Sequence, residues 1–216
     1  RLRYKGLLFW AAARFINRRN VDWCLYNRQE YRKPVNSTFI DNKERACLLM
    51  KYKNLINPEL RQAARKVPYN KTVIKCANIY QTISFHFTKV PEEINNRPII
   101  IEGYNGLKLK VEIFEPSNIK EKLPCLIYIH GGAFSYKASS HHKKLACVYA
   151  VKAKCRVYFP DYHLTPKYPY PAAYNDVLSL YKYIMENSEE LGIDTEKIGL
   201  AGDSAGALLA ASICNN

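Results

Sequence analysis

The sequence predicts an α/β domain, a mostly parallel sheet entered through an antiparallel hairpin, with helices on both faces. Two observations predict it. From Arg97 onward the texture alternates as hairpin, then strand, helix, strand, helix, strand, helix, the order of parallel strands joined by right-handed crossovers. Within that run, Cys125-Leu126-Ile127-Tyr128-Ile129 is continuously apolar, as a strand covered on both faces requires. Apolar residues make up 48% of the 216, enough to build a sizeable core.

Each element follows from local signals. Residues 1–33 look helical, basic and aromatic, and Pro34 to Ser37 break the pattern. A second helical stretch runs from about Asn42 to Asn54, and Asn57-Pro58 reads as the cap and first turn of a third. Val73 to Phe87 is mixed, and its apolar positions do not decide between helix and strand. Ile99-Ile100-Ile101 and the alternating Leu107 to Ile113 form a hairpin around the turn residues Gly103 to Gly106. After the buried strand come a helix from about Ser140 to Lys154, a strand at Arg156 to Phe159, and a helix from about Ala172 to Asn187. The short strand Ile198 to Ala201 and a helix beginning at Ala205 close the series. The division expected is a basic helical segment, 1–95, and an α/β region, 96–216. No internal repeat or low-complexity tract is visible.

Charge and cysteine usage narrow the partners. Residues 1–110 hold 22 Lys/Arg against 8 Asp/Glu, whereas 111–216 hold 11 of each, so the whole +14 lies in the first half. A solvated basic surface is the plain reading; peripheral contact with an anionic membrane through the N-terminal segment is the sharper one. No basic-aromatic module points to nucleic acid. The apolar stretch Gly6 to Ala13 is interrupted by Arg14 and is too short to span a bilayer. Seven cysteines, with no C-x-x-C pair, read as reduced, mostly buried thiols with no disulfide framework and no metal site. A reducing compartment, cytoplasmic or membrane-associated, is expected.

The chemistry concentrates in two motifs. Gly202-Asp203-Ser204-Ala205-Gly206 stands between a strand and a small-residue helix. A nucleophilic serine needs its Oγ thrust out of the sheet on a tight turn, with a helix N-terminus behind it. Flanking glycines let strand and helix pass close, and the Ala205 N–H can donate to an oxyanion. His130-Gly131-Gly132 ends the buried strand 74 residues earlier. The Gly131 and Gly132 amides there complete a three-donor hole, each donor worth about 2.7–4 kcal/mol in the transition state. His130 reads as a loop-orienting residue. No cofactor is called for.

A third block, Asp161-Tyr162-His163-Leu164-Thr165-Pro166 continuing through Pro171-Ala172-Ala173 to Asp176, makes the chain recognisable. With the two motifs, it resembles the hormone-sensitive-lipase-like family of α/β-hydrolases, which includes bacterial esterases and arylacetamide-deacetylase-like enzymes. The resemblance spans roughly Asn57 to the C-terminus. It implies an α/β-hydrolase fold with an N-terminal helical lid, and hydrolysis of small-molecule or lipid carboxylic esters through an acyl-enzyme. It also implies Ser204 as nucleophile, Gly131, Gly132 and Ala205 as oxyanion donors, and His130, Asp203, Asp161 and Tyr162 in support. Two positions depart from the family pattern. Ala133 replaces the usual third glycine, and Lys167 stands where the family has Glu.

One absence is larger. The fold orders its triad as Ser, then Asp or Glu, then His, yet the twelve residues after Ser204 contain neither. All five histidines precede it. His141 and His142, near a helix start, read as solvated, and His163 does not fit a base role in this fold. The expectation is therefore the nucleophile half of an incomplete hydrolase, weakly active or inactive alone. Two alternatives are a non-catalytic ligand-binding member of the fold and a truncated, aggregation-prone product. In the last of these the Ile198–Ala201 strand has no outer neighbour.

Overall fold

The computed structural model describes residues 14–15, 70–117 and 122–215. All of them but Asn70 belong to one of the two compact units into which the chain divides; the rest of the other unit, Asp22–Asn70, lies outside them. The expected helices at Asn42 to Asn54 and after Asn57, the apolar stretch Gly6 to Ala13, Cys24 and Cys47 all lie outside the described residues.

The described elements are strand β1 (Arg14–Phe15), helix α1 (Lys71–Phe87), strands β2 (Ile94–Glu102), β3 (Lys108–Pro116) and β4 (Leu123–Ile129), helix α2 (Ser140–Lys152), strand β5 (Arg156–Pro160), helix α3 (Ala172–Glu186), strand β6 (Ile193–Gly202) and helix α4 (Ala205–Cys214). They build one sheet in the order β1-β6-β4-β5-β3-β2. The central strands β6, β4 and β5 are parallel. The β2–β3 hairpin joins β5 antiparallel, giving a mixed sheet with a parallel centre.

Strand alternation sorts the side chains onto two faces. Leu109, Val111 and Ile113 of β3, Ile127 and Ile129 of β4, Tyr158 of β5 and Leu200 of β6 pack under α3 and α4. Phe114, Tyr128, Val157, Phe159 and Ala201 face the opposite way, against α2 and Phe85 of α1. The helices match. In α3 the buried residues are Ala172, Asp176, Val177, Leu180 and Ile184, the spacing of one helical face. In α4 they are Ala205, Gly206, Leu209, Ala210 and Ile213, small near the strand ends so that the helix lies close. Cys125, Cys147 and Cys155 are buried free thiols. Burial pushes the Cys155 thiol up to about 11, so these behave as small apolar side chains. Cys76, on α1, is exposed.

Two expectations change. Within the N-terminal segment read as helical, Arg14–Phe15 is a strand, pairing antiparallel with β6 at Leu200 and Gly199. The outer edge of β6 therefore has a neighbour, although a two-residue one. An unpaired strand edge is a template of free N–H and C=O groups, and a short extended segment suffices to occupy part of it. The last strand is also longer than its four-residue apolar run, ten residues in all, because the segment from Ile193 extends it through the partly exposed or exposed Asp194 to Lys197.

Candidate active site

Strands β4 and β6 are register neighbours, with Ile129 opposite Gly202. That single pairing sets the two motifs, 74 residues apart in sequence, side by side at the C-terminal ends of the parallel strands.

The turn after β6 is strained. Ser204 sits at φ 50°, ψ −115°, a conformation costing a non-glycine residue about 1–3 kcal/mol. The strain leaves Ser204 exposed between buried Gly202 and Ala205. The flanking glycines are sterically compelled. A Cβ on Gly202 would lie 2.4 Å from the Gly206 carbonyl carbon, and one on Gly206 only 2.0 Å from the Ile129 carbonyl oxygen. Helix α4 starts at Ala205, so the Ala205 N–H has no acceptor within the helix.

The loop after β4 is as tight. A Cβ on Gly131 would strike Asp203 Oδ2 at 2.3 Å, and Gly132 takes φ +130° with Tyr136 O at 2.4 Å from its ideal Cβ. The Gly132 carbonyl accepts from the Ser135 and Tyr136 N–H groups at 2.9 and 2.8 Å, closing the turn. Ala133 adopts φ 50°. This is the left-handed region, which explains the glycine usual at that place; alanine costs about 1 kcal/mol there.

Asp203 joins the two motifs. Its Oδ2 accepts from the Gly131 N–H at 3.1 Å and lies 3.3 Å from His142 Nε2, while its Oδ1 accepts from the Tyr128 hydroxyl at 3.2 Å. Burial pushes the Asp203 carboxyl up, but the bond and charge of His142, with the Tyr128 and Gly131 donors, outweigh it and hold it below the ordinary value. Of the three amides expected to form the oxyanion hole, that of Gly131 is thus already bonded to a carboxylate.

His130 is fully buried. Its Nδ1 lies 2.6 Å from the Gly131 carbonyl, its ring stacks on Tyr162 at 4.4 Å, and the Tyr162 hydroxyl donates to the His130 carbonyl at 2.8 Å. Burial lowers its imidazole to about 4, so it stays neutral near pH 7. Asp161 pairs with Lys137 Nζ at 2.8 Å, and its carboxylate hydrogen bonds go to Lys137, not to Ser204.

Two residues named from sequence take parts it did not give them. His142 is buried, not solvated. It occupies the inward face of α2 with Ala146 and Ala150, and that i, i+4, i+8 spacing is the signal that could have found it. Its Nδ1 accepts from the Ser139 N–H at 3.0 Å, which directs the Nε2–H toward Asp203. The other is Asp176, fully buried, whose carboxylate accepts from the Tyr104 N–H at 2.8 Å, the His163 N–H at 2.7 Å and His163 Nδ1 at 2.8 Å. It ties the hairpin turn to the loop after β5. No described histidine hydrogen-bonds Ser204, and among the described residues no cluster of His, Cys, Asp and Glu is arranged to hold a metal.

Residues 126–216 match the model of a family described as alpha/beta hydrolase fold. Carboxylesterase NlhH of Mycobacterium tuberculosis is 38% identical over 110 residues, 50% of this chain and 34% of that protein. Esterase LipI of the same organism is 38% identical over 126 residues, 57% of this chain and 39% of that protein. Among solved structures, an esterase of Pyrobaculum calidifontis superposes with a TM-score of 0.61 at 31% identity, covering 72% of this chain and 51% of that one. Esterase LipW of Mycobacterium marinum gives 0.64 at 25% identity, covering 76% and 53%. The chain therefore spans little more than a third of these curated relatives and about half of these solved structures.

Proposed function

We propose that this chain, which resembles the hormone-sensitive-lipase-like α/β-hydrolases, carries the nucleophile and oxyanion site of a carboxylic ester hydrolase. The observation behind this is the β4–β6 register, which sets a strained, exposed Ser204 beside a glycine loop. Ser204 Oγ attacks the ester carbonyl carbon. The Ala205 and Gly132 N–H groups receive the developing oxyanion, the alkoxide leaves with a proton, and water hydrolyses the acyl-enzyme. Gly131 acts one step back, its amide latched to Asp203 so that the loop keeps its place against the elbow. His130, stacked on Tyr162 and neutral, orients the loop and takes no part in proton transfer. The general base comes from outside the described residues.

A fluorophosphonate probe should modify Ser204 when the protein is assayed with every residue its gene encodes, and Ser204→Ala should abolish the labelling. An unmodified Ser204, with a control esterase reacting normally, would overturn the assignment. That same outcome favours a second reading, a ligand-binding protein on this fold, whose motivation is that no described histidine bonds Ser204. The substrate class we assign is a small-molecule or lipid ester. Among the described residues no helix is long and apolar enough to cross a membrane. We assign peripheral contact to the basic residues 1–33, and liposome co-sedimentation with and without them decides it.

A further inference from the structure

A cleft of about 450 Å³ opens between α1, β2, β3 and the start of α2. Neither Ser204 nor any of the three oxyanion residues lines it. Its volume falls within the range of small-molecule sites. Its walls are mixed. Phe85 and Phe159, stacked at 5.6 Å, together with Pro98 and Ala138, supply the apolar part.

Three lysines reach this cleft, and they are not equivalent. Lys110 pairs with Glu112 at 2.8 Å, and Lys137 pairs with Asp161 at 2.8 Å. Two ammonium charges are thereby matched by two carboxylates. Lys143 is left over. It is only 7% exposed, lies on the buried face of α2, and makes no ion pair with a described residue. Its Nζ sits 5.2 Å from the centre of the Phe85 ring, a cation–π contact that satisfies none of its three N–H donors. A buried charge is normally paired, because withdrawing it from water is costly. Burial depresses the Lys143 ammonium, and nearby Glu112 only partly restores it. Among the described residues the cleft thus carries one ammonium more than it has carboxylates, beside aromatic walls.

We propose that this cleft binds a small organic monocarboxylate, with Lys143 as its ion partner and the Phe85–Phe159 wall against its apolar body. A single ammonium with apolar surroundings suits a monoanion with a hydrocarbon part. Inorganic phosphate, which calls for several converging donors, fits poorly. The inference does not depend on Ser204 or on ester hydrolysis.

Isothermal titration calorimetry with sodium benzoate, benzamide and inorganic phosphate, at matched ionic strength and pH 7.5, tests it. Benzoate should bind saturably at one site, with benzamide and phosphate at least tenfold weaker. Lys143→Met should weaken benzoate at least tenfold, and Lys143→Arg should keep it within about threefold. Thr82→Trp, which fills the cleft from the exposed face of α1, should abolish binding while leaving Lys143 in place. Absence of saturable benzoate binding, equal binding of benzamide or phosphate, or an unchanged affinity in Lys143→Met or Thr82→Trp would each overturn the proposal. Circular dichroism establishes that each variant is folded; should Lys143→Met not fold, the Arg and Trp variants and the ligand comparison decide.

Discussion

Gly206→Ala sets two physical effects against each other with opposite signs. Gly206 lies within α4, and helix propensity alone predicts that alanine there gains about 1 kcal/mol. The structure predicts a loss. The new methyl would stand 2.0 Å from the Ile129 carbonyl oxygen and 2.7 Å from that of His130, both backbone atoms that cannot swing away. To reach even a tight contact of about 3 Å, α4 must retreat roughly 1 Å from β4, and a radial gap of that size forfeits a quarter to a half of the dispersion attraction across it. The affected contacts are those of Leu209, Ala210 and Ile213 against Ile127, Ile129 and Leu200. Overpacking of this kind costs about 1–3 kcal/mol, and rigid backbone on one side puts it at the upper end. After subtracting the propensity gain, a net loss of about 2 kcal/mol remains, or roughly 4–8 °C in Tm for a domain of this size. A thermal melt followed by circular dichroism reads it. Gly192→Ala is the control: it has φ +60° but only the far end of Arg156 nearby, at 3.6 Å, so it should lose only the cost of the left-handed backbone, about 1 kcal/mol. If Gly206→Ala melts at or above the wild-type temperature, close packing at the elbow is not what requires glycine there.

Three further outcomes are expected. Ser204→Gly should raise stability by about 1 kcal/mol in a denaturant titration, because the strained φ 50° becomes an ordinary glycine conformation, while all labelling is lost; an unchanged midpoint would mean the strain is not stored there. His130, with its imidazole lowered to about 4 against an ordinary 6.5, binds fewer protons folded than unfolded between those values. Its contribution is thus fully present above pH 6.5 and is lost as the pH falls toward 4, by at most about 3 kcal/mol; His130→Phe should flatten this part of the stability curve between pH 7 and 4.5, and a slope equal to wild type would refute the assignment. Asp176→Ala strips the acceptor from the Tyr104 N–H and from two groups of His163; a loss of about 3 kcal/mol is expected by urea unfolding, with hydrogen exchange quickening first at Tyr104 and His163.

Legibility tracked how far a residue's neighbours lie along the chain. The parallel strands and their helices could be read because each carries one buried face with a regular period. Helix α1 could not. Ile74 and Phe85 point toward the body of the protein, whereas Ile79, Tyr80, Ile83 and Phe87 are exposed. Apolar residues on both sides of a helix erase the 3.6-residue signature. Strand β1 was missed for a different reason: its pairing partners, Leu200 and Gly199, lie far along the chain, and no local pattern announces such a ladder.

The candidate site was legible in its glycines and opaque in its charges. Gly131, Gly132, Gly202 and Gly206 are each compelled by a backbone or side-chain approach of 2.0–2.4 Å, and such compulsion leaves a short, recognisable motif. The Asp203 latch leaves none, since Tyr128 comes from the end of β4, Gly131 from the loop after it and His142 from a helix face far along the chain from Asp203. Yet that latch determines which amides remain for an oxyanion. A carboxylate that binds the Gly131 N–H fixes the loop and at the same time withdraws one donor from it. Under the proposed function, the Gly131 bond to Asp203 leaves Gly132 and Ala205 as the two amides for an oxyanion, with Gly131 holding them in register. On this view Asp203→Asn, which keeps the shape but weakens the charge-assisted bond to Gly131, should slow acylation of Ser204 more than it weakens ester binding. An equal effect on both would mean that Gly131 donates to the substrate after all.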